Sequence, residues 1–231
     1  MRALIASLVV VGGVAAATAT PPQNAPASAT TDLYHVHFNK AAPGQAAALG
    51  KSLATPDKTA AMPEHFVVLR HQEGDDWDYV VIQHLGPKTE LTTATAPQAA
   101  AQRPLSAWHS DTFVSGPSWG DFSREMGLAS GGAVYIVGVH RPVPGHRDQL
   151  LTSLTAPGPA SKVQVGNVVL QHVEGGEWSF ATITRYNSWA DLAADRAAAP
   201  SSADAAGGWA DIRQHSAFHR DTITDRVYPL K

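Results

Sequence analysis

Ser106-Ala107-Trp108-His109-Ser110-Asp111-Thr112 and Ser216-Ala217-Phe218-His219-Arg220-Asp221-Thr222 are one heptad written twice, with an aromatic residue before each histidine. A histidine followed two positions later by an aspartate can do acid–base chemistry near neutral pH: the imidazole moves the proton and the carboxylate holds it in one tautomer. His109 with Asp111, and His219 with Asp221, are therefore the candidate catalytic pairs. The competing reading is structural. Each heptad falls where a helix is expected to end, and a cationic histidine there gains ~0.3–1 kcal/mol from the helix dipole. Asp-Thr is also ordinary turn chemistry.

His35-x-His37 is the second candidate. On a strand, residues i and i+2 share a face about 6.6–6.8 Å apart, so both imidazoles can reach one ion. Zinc or copper would need further ligands, which His71, His84 or His109 could supply. The second copy has Ile136 and Gly138 at the matching positions, so only one half could own a metal site at His35 and His37; the alternative is a polar lining. His71 and His172 recur within Val67-Val68-Leu69-x-His-x-Glu73-Gly74-x-x-Trp77 and its counterpart Val168 to Trp178. Glu-Gly there is hairpin chemistry and the tryptophans are core aromatics, which leaves the histidines to bond across the hairpin or between the two copies, or to meet a ligand. Tyr34, Tyr135 and Trp209 join His35, His37, His71 and His172 as candidate ligand contacts. A Gly-rich phosphate loop, G-x-S-x-G and H-E-x-x-H are all missing.

These residues sit in a duplicated chain. Tyr34-His35-Val36 and Pro43-Gly44 return as Tyr135-Ile136-Val137 and Pro144-Gly145. Leu49, Ser52, Leu53 and Pro56 return as Leu150, Ser153, Leu154 and Pro157 at the same offset. Two long copies are not a solenoid, which stacks three or more short units. The expected organisation is a secretory signal peptide over 1–19, a Pro/Ala/Ser/Thr-rich leader over 20–31, repeat one over 32–117, a linker over 118–132 and repeat two over 133–231. The signal rests on Met1-Arg2, an apolar run to Ala17 and A-x-A cleavage sites; the run is short for a membrane span. Export to the periplasm or the extracellular space follows as an expectation, with no membrane contact after cleavage.

Cysteine is absent, which excludes disulfides, thiolate metal sites and a lipid-anchored signal. Lys and Arg number 17 against 20 Asp and Glu, without clustering. No basic stripe suits nucleic acid, and a small-molecule ligand is the expected partner, the chain itself being a monomer or homodimer.

Each copy reads in the same order. In the first, tyrosine, valine and phenylalanine alternate with histidines over 33–38, a strand. A helix is expected over 45–54, although Gly50 weakens it. A hairpin follows over 65–72 and 77–84, turning at 73–76. Next come an Ala-rich stretch broken by Pro97 and Pro104 and a short strand over 112–115. The second copy predicts a strand over 134–139, a helix over 146–154, a hairpin over 167–172 and 178–185, and a helix over 189–197 with Ser188 as N-cap. A loop over 200–208, a helix over 209–219 and a strand over 223–228 complete it. The order is β-α-β-β-α-β twice, the ferredoxin-like arrangement of the α+β class. Residues 66–69 and 79–82 are apolar on both faces, so each sheet needs a second layer, and the other copy's sheet is the simplest supplier.

This duplicated order resembles the dimeric α/β-barrel superfamily, made here within one chain over about residues 32–231. The superfamily includes antibiotic-biosynthesis-type monooxygenases, haem-degrading monooxygenases, and EthD-like and NIPSNAP-like proteins. The resemblance implies two ferredoxin-like repeats packed sheet to sheet. Haem-degrading members place a catalytic histidine late in the second helix, with a tryptophan earlier in that helix and an asparagine on the first strand. Trp209 and His219 match two of these features; the first copy has Ala99 for the tryptophan, and the first strands offer His37 and Gly138 rather than asparagine.

The expectation is an exported small-molecule-binding barrel with a partly His-lined internal pocket, monooxygenase-like or isomerase-like, acting on an apolar or aromatic ligand. No tightly bound organic cofactor is expected; the alternatives are a haem-, zinc- or copper-binding protein without turnover, or an interaction module. Because Gly138 has no side chain, the larger pocket is expected in the second half, with His219 at its edge.

Overall fold

The computed structural model describes residues 31–87, 104–131, 133–156, 163–173, 176–205 and 207–230. The first half supplies β1 (Asp32–Ala41), α1 (Ala46–Leu53), β2 (Phe66–Glu73), β3 (Tyr79–Pro87) and β4 (Ser106–Gly116). A helix, α2 (Trp119–Glu125), follows in the joining stretch. The second half supplies β5 (Val134–Pro142), α3 (Arg147–Thr155), β6 (Gln164–His172), β7 (Phe180–Tyr186), α4 (Trp189–Ala198), α5 (Trp209–His215) and β8 (Ser216–Tyr228). The signal peptide and leader, and the Ala-rich stretch of the first copy, lie outside the described residues. Among those described, no helix is long and apolar enough to cross a membrane.

The eight strands close into a barrel in the order β1-β3-β2-β8-β5-β7-β6-β4. Each half is a four-stranded antiparallel sheet, β4-β1-β3-β2 or β8-β5-β7-β6. The sheets face each other across the lumen and are stitched at both edges. At one seam β2 pairs with β8, running from Val68 opposite Tyr228 to Glu73 opposite Ile223. At the other, Val114 and Ser115 of β4 pair with His172 and Gln171 of β6. Closure removes the unpaired edges that a lone ferredoxin-like sheet would expose.

The doubly apolar strands now have a cause. Val67, Leu69, Val80 and Ile82 point into the lumen, with Tyr34, Val36, Phe38, Tyr135, Val137, Val168, Leu170 and Ile183 from the other strands. Phe66, Val68, Tyr79 and Val81 point outward and are covered by Leu49 and Leu53 of α1. Gly50 is explained by the same contact. A Cβ there would lie 2.5 Å from the Tyr79 hydroxyl, which donates to the Ala46 carbonyl at 2.9 Å.

Three expectations need correction. The joining stretch is more than a linker: Phe122 and Met126 are fully buried in the lumen cluster, so α2 plugs one end of the barrel. Among the described residues, the lumen where an internal pocket was expected is filled by packed apolar side chains. Finally, the heptad histidines do not sit at helix ends. α5 stops at His215, and β4 and β8 begin at Ser106 and Ser216, so His109 and His219 are strand residues. The expected cap at Ser188 is present, its hydroxyl accepting the Asp191 N–H at 3.1 Å.

Candidate functional site

Strand geometry assembles the site. Within each heptad the histidine and aspartate are i and i+2 on one strand and so share a face. That face is the outer one, away from the lumen. On β8, His219 Nε2 lies 2.8 Å from Asp221 Oδ1. The β5–β8 register sets Gly138 opposite Asp221 and His140 opposite His219. The two imidazoles stack, with centroids 4.6 Å apart and planes 9° from parallel. His140 is only 3% exposed; its Nε2 is 3.0 Å from Thr182 Oγ1, and its Nδ1 is buried without a partner. Arg196 of α4 reaches Asp221 at 3.4 Å. Leu192 of α4 packs on Val134, Ile136 and Tyr186, with Ile223 against them, giving the site an apolar neighbour.

The charges follow from these surroundings. Burial, then repulsion from His219, pushes His140 down to about 4, against the pull of Asp221, so it is neutral at neutral pH. Burial works to raise Asp221, but the His219 hydrogen bond and the charges of His219, Arg196 and His140 outweigh it and hold the carboxyl below its ordinary value.

Gly138 corrects the expectation of ligand space. A Cβ there would meet Thr182 Oγ1 at 2.6 Å, Asp221 Oδ1 at 2.9 Å and His140 Nε2 at 2.9 Å. The room a side chain would need is already taken by the polar cluster.

The first copy builds a related but richer group. Asp111 lies 3.1 Å from Nε2 of His35, 3.9 Å from Nδ1 of His37 and 3.1 Å from Nε2 of His109. His35 and His37 stack at 5.3 Å, and Asn39 reaches His37 Nδ1 at 3.2 Å. The contact with His35, 3.1 Å away but without hydrogen-bond geometry at its Nε2, leads in holding Asp111 low, against burial. His37 is pushed down to about 4 by burial and then by His35. His35 and His37 thus both face the Asp111 carboxylate. Among the described residues no three His, Asp or Glu side chains form a group that could hold a metal ion, so the zinc or copper expectation finds no ligand set.

The remaining expected residues fall elsewhere. Tyr34 and Tyr135 are fully buried in the lumen core, their hydroxyls donating to the carbonyls of Pro117 at 2.7 Å and Met126 at 2.8 Å; core packing replaces the ligand role expected of them. His172 stacks on Trp178 and bonds across the seam to Thr112 of β4. His71 lies against Trp77, its Nε2 buried without a partner. Trp209 is 65% exposed under the Arg213 guanidinium. That exposure, the placing of His219 on a strand and the filled space at Gly138 do not fit a haem held in the manner of the haem-degrading enzymes.

His140 escaped the sequence reading because its counterpart in the first copy is Asn39, so no repeated motif marks it. The opposing register of β5 and β8 is its only signal.

No protein-family model matches the sequence, and no curated protein matches it. Solved structures do match by shape. An anthrone oxidase-like protein superposes with a TM-score of 0.53 at 13% identity, covering 87% of this chain and 93% of that one. A provisionally assigned chlorite dismutase gives 0.50 at 13% identity over 85% and 95%. A provisionally assigned monooxygenase from Lactobacillus acidophilus NCFM gives 0.48 at 8% identity over 85% and 94%. At such identities the likeness carries the fold alone. The chain has the dimeric α/β-barrel fold, with both halves of the barrel supplied by one polypeptide.

Proposed function

We propose that the chain is an exported small-molecule-binding protein whose outer sheet faces carry His–Asp acid–base sites. It acts on an apolar or aromatic ligand in a monooxygenase-like or isomerase-like reaction. The supporting observation is the His219–Asp221 pair, 2.8 Å apart beside the buried, neutral His140. An ionised Asp221 accepts from Nε2–H of His219, which leaves Nδ1 with the lone pair. That nitrogen can take a proton from a phenol or from a carbon next to a carbonyl, the electron pair staying on the ligand as an enolate or phenolate. Return of the proton to another carbon completes an isomerisation. Alternatively, the carbanion bonds to dioxygen and the resulting hydroperoxide loses water, so that one oxygen stays on the former CH2 carbon as a carbonyl and the other leaves as water with its two hydrogens. The oxidase-like description of one shape neighbour is consistent with this class.

The test uses the mature protein with a hydroxyanthrone as probe, in air and under argon, alongside an absorption spectrum and metal analysis. His219→Ala should lower binding or turnover about 100-fold, the low end of general-base catalysis, and more than His109→Ala, with little change in melting temperature. Equal loss of stability in both variants with probe binding intact would make the histidines packing residues. A Soret band or stoichiometric metal would favour a haem- or metal-binding protein instead. Export is tested separately by fusing residues 1–31 to a reporter active only outside the cytoplasm.

A further inference from the structure

A different group of ionisable residues lies where α2 meets the barrel. Asp32 opens β1 and is buried. Its Oδ2 accepts the Trp119 N–H at 2.9 Å and lies 2.9 Å from Nε2 of His84 on β3. His84 is buried too, and its Nδ1 is 3.1 Å from Nδ1 of His65, just before β2. The Trp119 indole stacks on both imidazoles, at 4.7 Å from His65 and 5.4 Å from His84.

The bonds fix the protons. A carboxylate offers only lone pairs, so His84 donates from Nε2. Burial holds His84 below its ordinary pKa despite the Asp32 bond, so it is neutral and its Nδ1 is an acceptor. His65 must then donate from Nδ1, which leaves the lone pair on its Nε2. His65 is only half-buried.

The duplication shows that the barrel does not need this chain for closure. The matching positions in the second half are Ala133, Gly166 and Arg185. There Arg185 donates to the backbone carbonyls of Glu125 and Val165, each at 2.8 Å, and closes that end with backbone partners.

We infer that Asp32, His84 and His65 form a second chemical site, a carboxylate–imidazole–imidazole relay whose outer member, His65, is a nucleophile toward small activated acyl compounds. Its Nε2 lone pair forms a bond to the acyl carbon as the bond to the leaving oxygen breaks, releasing an alkoxide or phenolate. The Nδ1 proton of His65 passes to Nδ1 of His84, whose new charge faces the Asp32 carboxylate. Water then cleaves the acyl-imidazole. Its hydroxyl leaves in the carboxylic acid, its hydrogen goes to His65 Nε2, and the relay releases the surplus proton to solvent. The sum is ester plus water giving acid plus alcohol.

The probes are diethyl pyrocarbonate, mapped by mass spectrometry of the intact chain's peptides, and p-nitrophenyl acetate for turnover. Assistance by a positioned base should make His65 react about 100-fold faster than N-acetylhistidine. His84→Gln and Asp32→Asn should each remove most of that advantage, and His65→Gln should abolish turnover. Less than about a tenfold advantage for His65, or a rate indifferent to His84→Gln, would overturn the site. A merely structural relay would lower the melting temperature in these variants without any such advantage in the parent. If Asp32→Asn does not fold, the His65 rate in the parent protein decides alone.

Discussion

His140 and His37 each sit under a sheet-side cluster that disfavours their charged form, and this has a direction in pH. Both are pushed from an ordinary 6.5 to about 4. Between those values the unfolded chain binds protons that the native protein refuses. Stability therefore rises with pH across this window and is lost on acidification from about 6.5 toward 4, by up to ~1.4 kcal/mol per pH unit for each histidine. Urea unfolding at several pH values should show that slope, and His140→Asn should remove its share of it. Gly138→Ala tests the cluster from the other side. Its Cβ has no room beside Thr182, Asp221 and His140, so the variant should lose ~1–3 kcal/mol and displace Asp221 from His219, measurable by unfolding and by the histidine's NMR titration. The heptads announced both His–Asp pairs because i, i+2 spacing on a strand suffices to bring them together. His140 was invisible because its closeness to His219 exists only in the β5–β8 register.

At the level of elements, the sequence was clear where apolar residues alternate or repeat and obscure where they do not. β1, the hairpins and the Ser188 cap fell close to their expected places. The starts of β4 and β8 did not. Their inward positions near the barrel end are Ser110, Thr112 and Thr222, small and polar, so no hydrophobic alternation marks the strand. α2 was hidden for another reason. Trp119, Phe122 and Met126 have helical spacing, but they lie in a Gly/Ser-rich stretch that reads as a loop. The plug is nonetheless core. Phe122→Ala should cost ~3–5 kcal/mol in denaturant unfolding, more than any substitution expected of a linker, and its Tyr34 stacking partner, 5.1 Å away, should report the change in near-ultraviolet circular dichroism.

For the whole molecule, the lumen face of each sheet and both edges of each half are satisfied only by the other half, while the outer faces carry their own helices. Residues 32–125 alone would expose β2 and β4 as edges and the lumen face as an apolar surface. That fragment should self-associate or fail to fold; a stable monomer by light scattering would contradict the barrel. The pairing was legible in outline, because strands apolar on both faces demanded a second layer. What the sequence could not convey was how the seams are made: Arg70 grips Asp225 across β2–β8 with bonds of 3.1 and 2.6 Å, from residues far apart in the chain. Joining the halves covalently also changes what substitution can do. In a barrel assembled from two identical chains, every replacement occurs twice, and an innovation on one side is imposed on the other. Here a histidine can become a glycine at one position while its twin remains, as His37 and Gly138 do, and an Arg185 clamp can coexist with the His84 relay. The fused barrel is free to be lopsided.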